Sequence, residues 1–258
     1  MQPPVHITSR DNPLLVRLRK LAQDPTAYRK LGEVWIEGDH LCSACAGRGL
    51  AVPQAVLSES AWARPALRQL AGHAARVAVV PDALFNAASG LESPAGCGFL
   101  LPWTPQVEVR AGVATVVLDR LQDAGNVGSI LRSAAALGVG QVVALRGTAG
   151  VWSPKVLRAG MGAHFALHIV EGAVPDDLSR LQLPLLGTSS HTEAELHATR
   201  LPSPCAWVLG HEGQGVDEAL LARCQQVVRI PQPGGEESLN VAAAAAICLY
   251  ESLCQRLR

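Results

Sequence analysis

Aromatic side chains are scarce. Phe, Trp and Tyr make up 4% of the 258 residues, so a core must be built mainly from Ala, Leu and Val. Net charge is missing as well: 22 Lys and Arg balance 22 Asp and Glu. That excludes a uniformly basic coat protein but not one local basic face. No apolar run reaches the roughly 20 residues of a membrane span. The longest, Val241 to Tyr250, reads as a buried helix. Met1 to Asp11 shows no charged stretch leading into an apolar one, so no export signal is read there. Seven cysteines, an odd number in a long chain, fit a reducing compartment better than a disulfide scaffold. The glycine fingerprint of dinucleotide sites, the phosphate loop ending in Lys-Ser/Thr and the G-x-S-x-G elbow are all absent. What is present is 48% hydrophobic residues, enough to exclude wholesale disorder. The expectation is a soluble cytoplasmic protein with no membrane contact.

At roughly 150 residues per domain the length allows two domains. The Pro-rich stretch Leu101–Gln106 is the natural divide, giving domains 1–105 and 106–258. In the first, Leu14, Leu15, Leu18 and Leu21 recur at helical spacing with Arg17, Arg19 and Lys20 between them, an amphipathic basic helix. Its bland reading is a solvated face; its functional reading is a phosphate-contacting one. Strands at Val34–Glu37, Ala55–Ser58 and Arg76–Val80 alternate with helices near Leu41–Ala46 and over Ala61–Ala71. In the second domain, Val113–Asp119 reads as a strand buried on both faces. A helix over Asn126–Leu137 stops at Gly138, and Ser153-Pro154 opens another. Strands follow at Gln141–Leu145, Leu183–Thr188, Cys205–Leu209 and Gln226–Ile230, with helices at Asp217–Cys224 and Leu239–Leu257. The pattern predicts an α/β fold with a mostly parallel sheet.

Two histidine and cysteine pairs attract notice and lead nowhere. Cys42-x-x-Cys45 has no second pair downstream, and His164 and His168 lack the glutamate of a zinc helix, so no metal is expected. Three loops after strands are better candidates. They are Asp119–Arg132 with Gly125, Asn126 and Gly128; Leu209–Gly215 with three glycines around Glu212; and Ile230–Val241, ending in the cap-forming Ser238 and Asn240. Each alone is an ordinary turn, but all three belong at the carboxyl ends of strands, where open α/β sheets bind ligands.

These residues resemble the SpoU/TrmH family of the SPOUT methyltransferase superfamily. Asn126, Gly128 and Arg132 match its first motif. Gly210, Glu212, Gly213 and Gly215 match the second, and Ile230, Pro231, Gly234, Ser238, Leu239, Asn240 and Val241 the third. Arg158–Ala163 looks like a further family segment. Ile7–Pro13 and Val34–Gly38 are similar to the small substrate-binding domain that opens many members. His211, Gly160 and Gln232 depart from the usual Asn, Ser and Met.

The resemblance implies a C-terminal SPOUT domain with a deep trefoil knot, preceded by an RNA substrate-binding domain. It implies S-adenosyl-L-methionine as cofactor, held by Thr188, Gly210, Gly215, Ile230 and Leu239. The implied reaction is methyl transfer to a ribose 2′-hydroxyl of RNA, ribosomal RNA favoured over transfer RNA, in a homodimer. Arg132, Asn126, Glu212, Ser238 and Asn240 would be the catalytic set, with Asn126 and Asn240 fixing the ribose and Glu212 and Ser238 holding Arg132 and the loops in place. The competing readings are a catalytically silent knotted RNA-binding protein and a dinucleotide-dependent enzyme.

Overall fold

The computed structural model describes residues 3–234 and 238–258. The chain forms two compact units: one runs to Thr104 and takes in Trp152–Phe165, and the other comprises Pro105–Val151 and the chain from Ala166 onward.

The first unit begins with β1 (Val5–His6), α1 (Pro13–Gln23), α2 (Ala27–Leu31), β2 (Glu33–Glu37) and α3 (Asp39–Ala46). It continues with β3 (Val52–Ser58), α4 (Glu59–Ala63), α5 (Pro65–Ala71), β4 (Ala74–Val80), α6 (Asp82–Ala88) and β5 (Cys97–Pro102). The sheet order is β1-β4-β3-β5-β2, with β5 antiparallel to both its neighbours. Helix α1 starts at Pro13 because the Asn12 side chain accepts from the Leu14 amide at 2.9 Å. It buries Leu15, Leu18 and Leu21 and leaves Arg17 and Lys20 exposed. The single helix expected over Ala61–Ala71 is two. Arg64 is extended (φ −82°, ψ 119°), as the residue before Pro65 must be. Cys42 and Cys45 lie buried in α3, and the described residues contain no cluster able to hold a metal.

The second unit is built from β6 (Thr115–Leu118), α7 (Ala124–Ala136) and β7 (Gln141–Leu145). Next in the chain is α8 (Pro154–Gly160), whose Leu157 joins the core of the first unit. Expected with the second domain, Trp152–Phe165 thus packs with the first unit; within it His164 is buried beside Trp152. Then come β8 (His168–Ala173), β9 (Leu185–Thr188), β10 (Ala206–Leu209), α9 (Glu218–Leu221), β11 (Gln226–Val228) and α10 (Val241–Leu257). The six strands are all parallel, in the order β11-β9-β10-β6-β7-β8. Strands β6, β7 and β10 are buried along their whole length, which is why their apolar residues run without alternation; of the polar Thr115 and Gln141 that open β6 and β7, Gln141 Nε2 donates to the Thr115 hydroxyl at 2.9 Å. Helix α10 packs on α7 and β10, where the Trp207 indole donates to the Ser252 hydroxyl at 2.9 Å. Among the described residues no helix is long and apolar enough to cross a membrane.

This strand order positions the site. From β6 the chain steps outward through β7 to β8, then crosses to the other side for β9, β10 and β11. The reversal falls between β6 and β10, which pair from Thr115–Ala206 to Leu118–Leu209. A crevice outside the carboxyl ends of two such strands is where open parallel sheets accept ligands.

Candidate active site

The loops leaving β6 and β10 meet in that crevice. Beyond β6, Asp123 caps α7, its carboxylate accepting from the Asn126 amide at 2.8 Å. The helix therefore starts two residues before the expected Asn126, and Asn126 lies in its first turn with its side chain free for other work. Beyond β10 the chain folds tightly back. A Cβ on Gly210 would lie 2.1 Å from the Gly215 carbonyl carbon, so only glycine fits there. Gly215 (φ +71°) donates its amide to the His211 carbonyl at 2.8 Å. The His211 ring accepts from the Gly213 amide at 3.0 Å through Nδ1. An Asn side-chain oxygen makes the same two-residue turn, which accounts physically for His211 at a position where the family often has Asn.

Glu212 projects from this loop to the start of α7. Its Oε1 accepts from the Asp123 amide at 3.0 Å and from Asn126 Nδ2 at 3.1 Å, while Oε2 accepts from the Gln122 amide at 3.1 Å. Partial desolvation pushes its pKa up. The bonds from Asn126 and from the Gln122, Glu212 and Asp123 backbone outweigh this and hold it at about 2. Glu212 is an anion at neutral pH and can only accept.

That anion orients two amides in series. With its Nδ2 committed to Glu212, Asn126 offers Oδ1, which accepts from Asn240 Nδ2 at 3.0 Å. Asn240 is the N-cap of α10, and its own Oδ1 accepts from the Ala242 and Ala243 amides at 2.9 and 3.3 Å. The donor and acceptor sense of both amides is set by the network.

Arg132 lies on a different face of α7. It is exposed, with no hydrogen-bond or ion-pair partner among the described residues. Gly128, one turn earlier, is buried and carries no side chain to obstruct it. Helical side chains lean toward the N-terminus, so Arg132 is directed over the Gly128 turn. The expectation that Glu212 and Ser238 hold Arg132 and the loops divides: Glu212 ties its loop to the start of α7, but neither residue bonds Arg132 among the described residues. Among the described residues, the bonds from other residues to the Glu212 carboxylate come from Gln122, Asp123 and Asn126, and Ser238 is exposed with no side-chain bond to Arg132.

The residues expected at the cofactor lie on neighbouring strands. Thr188 ends β9, Gly210 follows β10 and Ile230 follows β11, with Val228 registered against Thr188. Leu239, 39% exposed, precedes the α10 cap. Three loop backbones flanked by two apolar side chains suit a flat nucleoside with polar edges. The residues present therefore fit S-adenosylmethionine. Sequence reasoning missed Gln122 and Asp123. Asp123 could have been found as the Asp three residues before Asn126 at a helix start.

Residues 114–250 match the SpoU rRNA Methylase family. The chain is 30% identical to the 23S rRNA (uridine(2479)-2'-O)-methyltransferase of Streptomyces viridochromogenes, over 77% of this chain and 73% of that one. It superimposes on the crystal structure of an RNA 2'-O ribose methyltransferase with TM-score 0.82 and 31% identity, covering 98% of this chain and all of the other. The SpoU methyltransferase AviRb from Streptomyces viridochromogenes, in complex with AdoMet, matches with TM-score 0.83 and 25% identity over 95% of this chain and 98% of that one.

Proposed function

Because this chain belongs to the SpoU rRNA methylase family, we propose that it transfers a methyl group from S-adenosyl-L-methionine to a ribose 2′-hydroxyl of RNA, with ribosomal RNA as substrate. The observation that carries this reading is the hydrogen-bonded series Glu212–Asn126–Asn240. It joins the three motif loops at the strand-order switch.

Thr188, Gly210, Gly215, Ile230 and Leu239 would hold the cofactor, which when bound supplies an electrophilic sulfonium methyl. The protein's remaining tasks are to orient the ribose and assist loss of the hydroxyl proton. Asn126 and Asn240 are oriented by Glu212 and present defined polar edges to the ribose. A guanidinium is a cation with no lone pair to offer, so Arg132 acts as a charge and donor and not as a base. Exposed, and unpaired among the described residues, it is available to bind the adjacent phosphate and stabilise the developing alkoxide.

The reading extends to the family's deep trefoil knot, supported by the packing of the last helix, α10, on the first helix of the unit, α7. It extends also to a cytoplasmic homodimer. Supporting a dimer, α10 exposes Ile247 and Tyr250, which with Leu196, Ile230, Pro231 and Ala246 line an apolar cleft of about 370 Å³. The first unit would bind RNA through Arg10, Arg17, Lys20 and Lys30, all exposed.

The test is incubation with labelled S-adenosylmethionine and separate pools of unmodified ribosomal and transfer RNA, with an Arg132→Ala control. Label in ribosomal RNA that the control loses supports the proposal. Label confined to transfer RNA moves the substrate. Label in neither, with cofactor bound, leaves a silent binder.

A further inference from the structure

Residue 120 is where backbone preference and side-chain chemistry disagree. It directly follows β6 and Asp119 with φ +58°, in the left-handed region that favours glycine, yet the residue is arginine. In extended chain, successive side chains point to opposite faces, so Arg120 could not reach its neighbour Asp119. The left-handed turn folds it back. Its Nε donates to Asp119 Oδ1 at 2.9 Å and its Nη2 to Asp119 Oδ2 at 3.1 Å, a two-pronged pair with a carboxylate that is 2% exposed. The same guanidinium donates through Nη1 to Gln214 Oε1 at 3.3 Å, and Asp119 Oδ2 also accepts from the Asp217 amide at 2.8 Å. Gln214 and Asp217 belong to the loop and cap that follow Glu212. On its other side Arg120 packs over Gly147, where an added Cβ would come within 3.3 Å of the arginine stem.

We infer that Arg120 is a positioning residue for methyl transfer: with Asp119 it clamps the 210–217 loop to the end of β6, so that Glu212 stays aligned on Asn126. The inference rests on the functional reading above, since alignment matters only if Asn126 and Asn240 serve the reaction. A glycine at 120 would relax the backbone and lose the clamp, whereas an arginine keeps the clamp in a backbone that resists it. Arg120 touches neither Asn126 nor Arg132 among the described residues, so it acts through the loop.

Arg120→Gly separates the two roles, because it removes the guanidinium while relieving the backbone. Relief of the left-handed backbone offsets part of the cost of leaving the buried Asp119 carboxylate without its cation, so the melting temperature should fall less in Arg120→Gly than in Arg120→Ala, which loses the pair and keeps the strain. The clamp predicts kcat lowered about tenfold, the scale of a single charge-assisted hydrogen bond, with KM for the cofactor within about twofold. Hydrogen exchange read by mass spectrometry should quicken over residues 121–127 and 210–217 and stay unchanged in β6 and β10. Arg120→Lys, with a single-point donor in place of the fork, should recover only part of the loss. Arg120→Asn, which also tolerates the left-handed turn, serves if the glycine variant does not fold. Parental kcat with parental exchange in the glycine or asparagine variant overturns the proposal. So does a loss of RNA affinity with a shallower salt dependence, which would make Arg120 a phosphate contact. If the parent protein itself transfers no methyl group, the functional reading fails, while the exchange measurement still reports on the clamp.

Discussion

Asn240 Nδ2 donates to Asn126 Oδ1 at 3.0 Å across 114 residues of sequence, and the same Asn240 caps α10 with its Oδ1. One side chain therefore serves both a helix terminus and the polar series from Glu212. Asn240→Asp separates the two, because aspartate caps a helix as well as asparagine does. A carboxylate facing Asn126 Oδ1 sets acceptor against acceptor. Melting temperature is expected to hold within a few degrees, while kcat falls by about tenfold, the scale of one hydrogen bond. Calorimetry beside single-turnover kinetics checks this; equal losses of stability and activity would reduce Asn240 to a cap.

Arg132 is exposed and has no partner among the described residues, so its removal should leave stability within about 0.5 kcal/mol. Arg132→Ala is expected to lower kcat at least about 100-fold, as loss of an oxyanion-stabilising donor does, with S-adenosylhomocysteine binding unchanged. Arg132→Lys should stay well below the parent because a lysine lacks the planar fork. Near-parental kcat in the lysine variant would remove any role for that geometry.

Glu212 has a folded-state pKa of about 2 against an ordinary 4.5, so the sign of its pH effect is fixed. Its contribution is complete above about pH 4.5 and is lost as pH falls toward 2. Because the residue is exposed, solvent screening keeps the contribution small. The urea midpoint of the parent should drop through this window more steeply than that of Glu212→Gln. Parallel profiles would mean that the bonds to Asn126, Gln122 and Asp123 do not stabilise the anion.

The basic helix of the first unit is better tested by charge than by truncation. Deleting it would remove Leu15, Leu18 and Leu21 from the core. Lys20→Gln on α1, with Lys30→Gln on the following α2, leaves those leucines in place. For every lysine that neutralises a phosphate, the substitution should flatten the plot of log affinity against log salt by about 0.7 to 0.9. Filter binding over a salt series measures it, and an unchanged slope assigns both lysines to solvent.

Much of the architecture was legible because it is local. The apolar run at Val113–Asp119 contains β6, and Gln141–Leu145 is β7 with the expected bounds. The elements that the sequence pattern hides break the local rules. Strand β5 reaches into the Pro-rich divide between the domains, and β8 carries Glu171 and Gly172 in its span. At the site, the motifs point to Asn126, Glu212 and Asn240, because each sits in a short glycine- or cap-rich loop. What those residues bond to was not legible. Glu212 meets Asn126 across 86 positions, and no spacing rule relates residues on strands that become neighbours only through a crossover. The backbone of Arg120 left no trace either, since Leu-Asp-Arg reads as the charged end of a strand.

The most direct test of the central claim is alkaline hydrolysis of RNA labelled by the purified protein from methyl-labelled S-adenosylmethionine. Alkali cleaves RNA through the free 2′-hydroxyl, so a ribose methylated there resists. The account predicts label in alkali-stable dinucleotides from ribosomal RNA, absent with Arg132→Ala. Label released entirely as mononucleotides would place the methyl group on a base and contradict it.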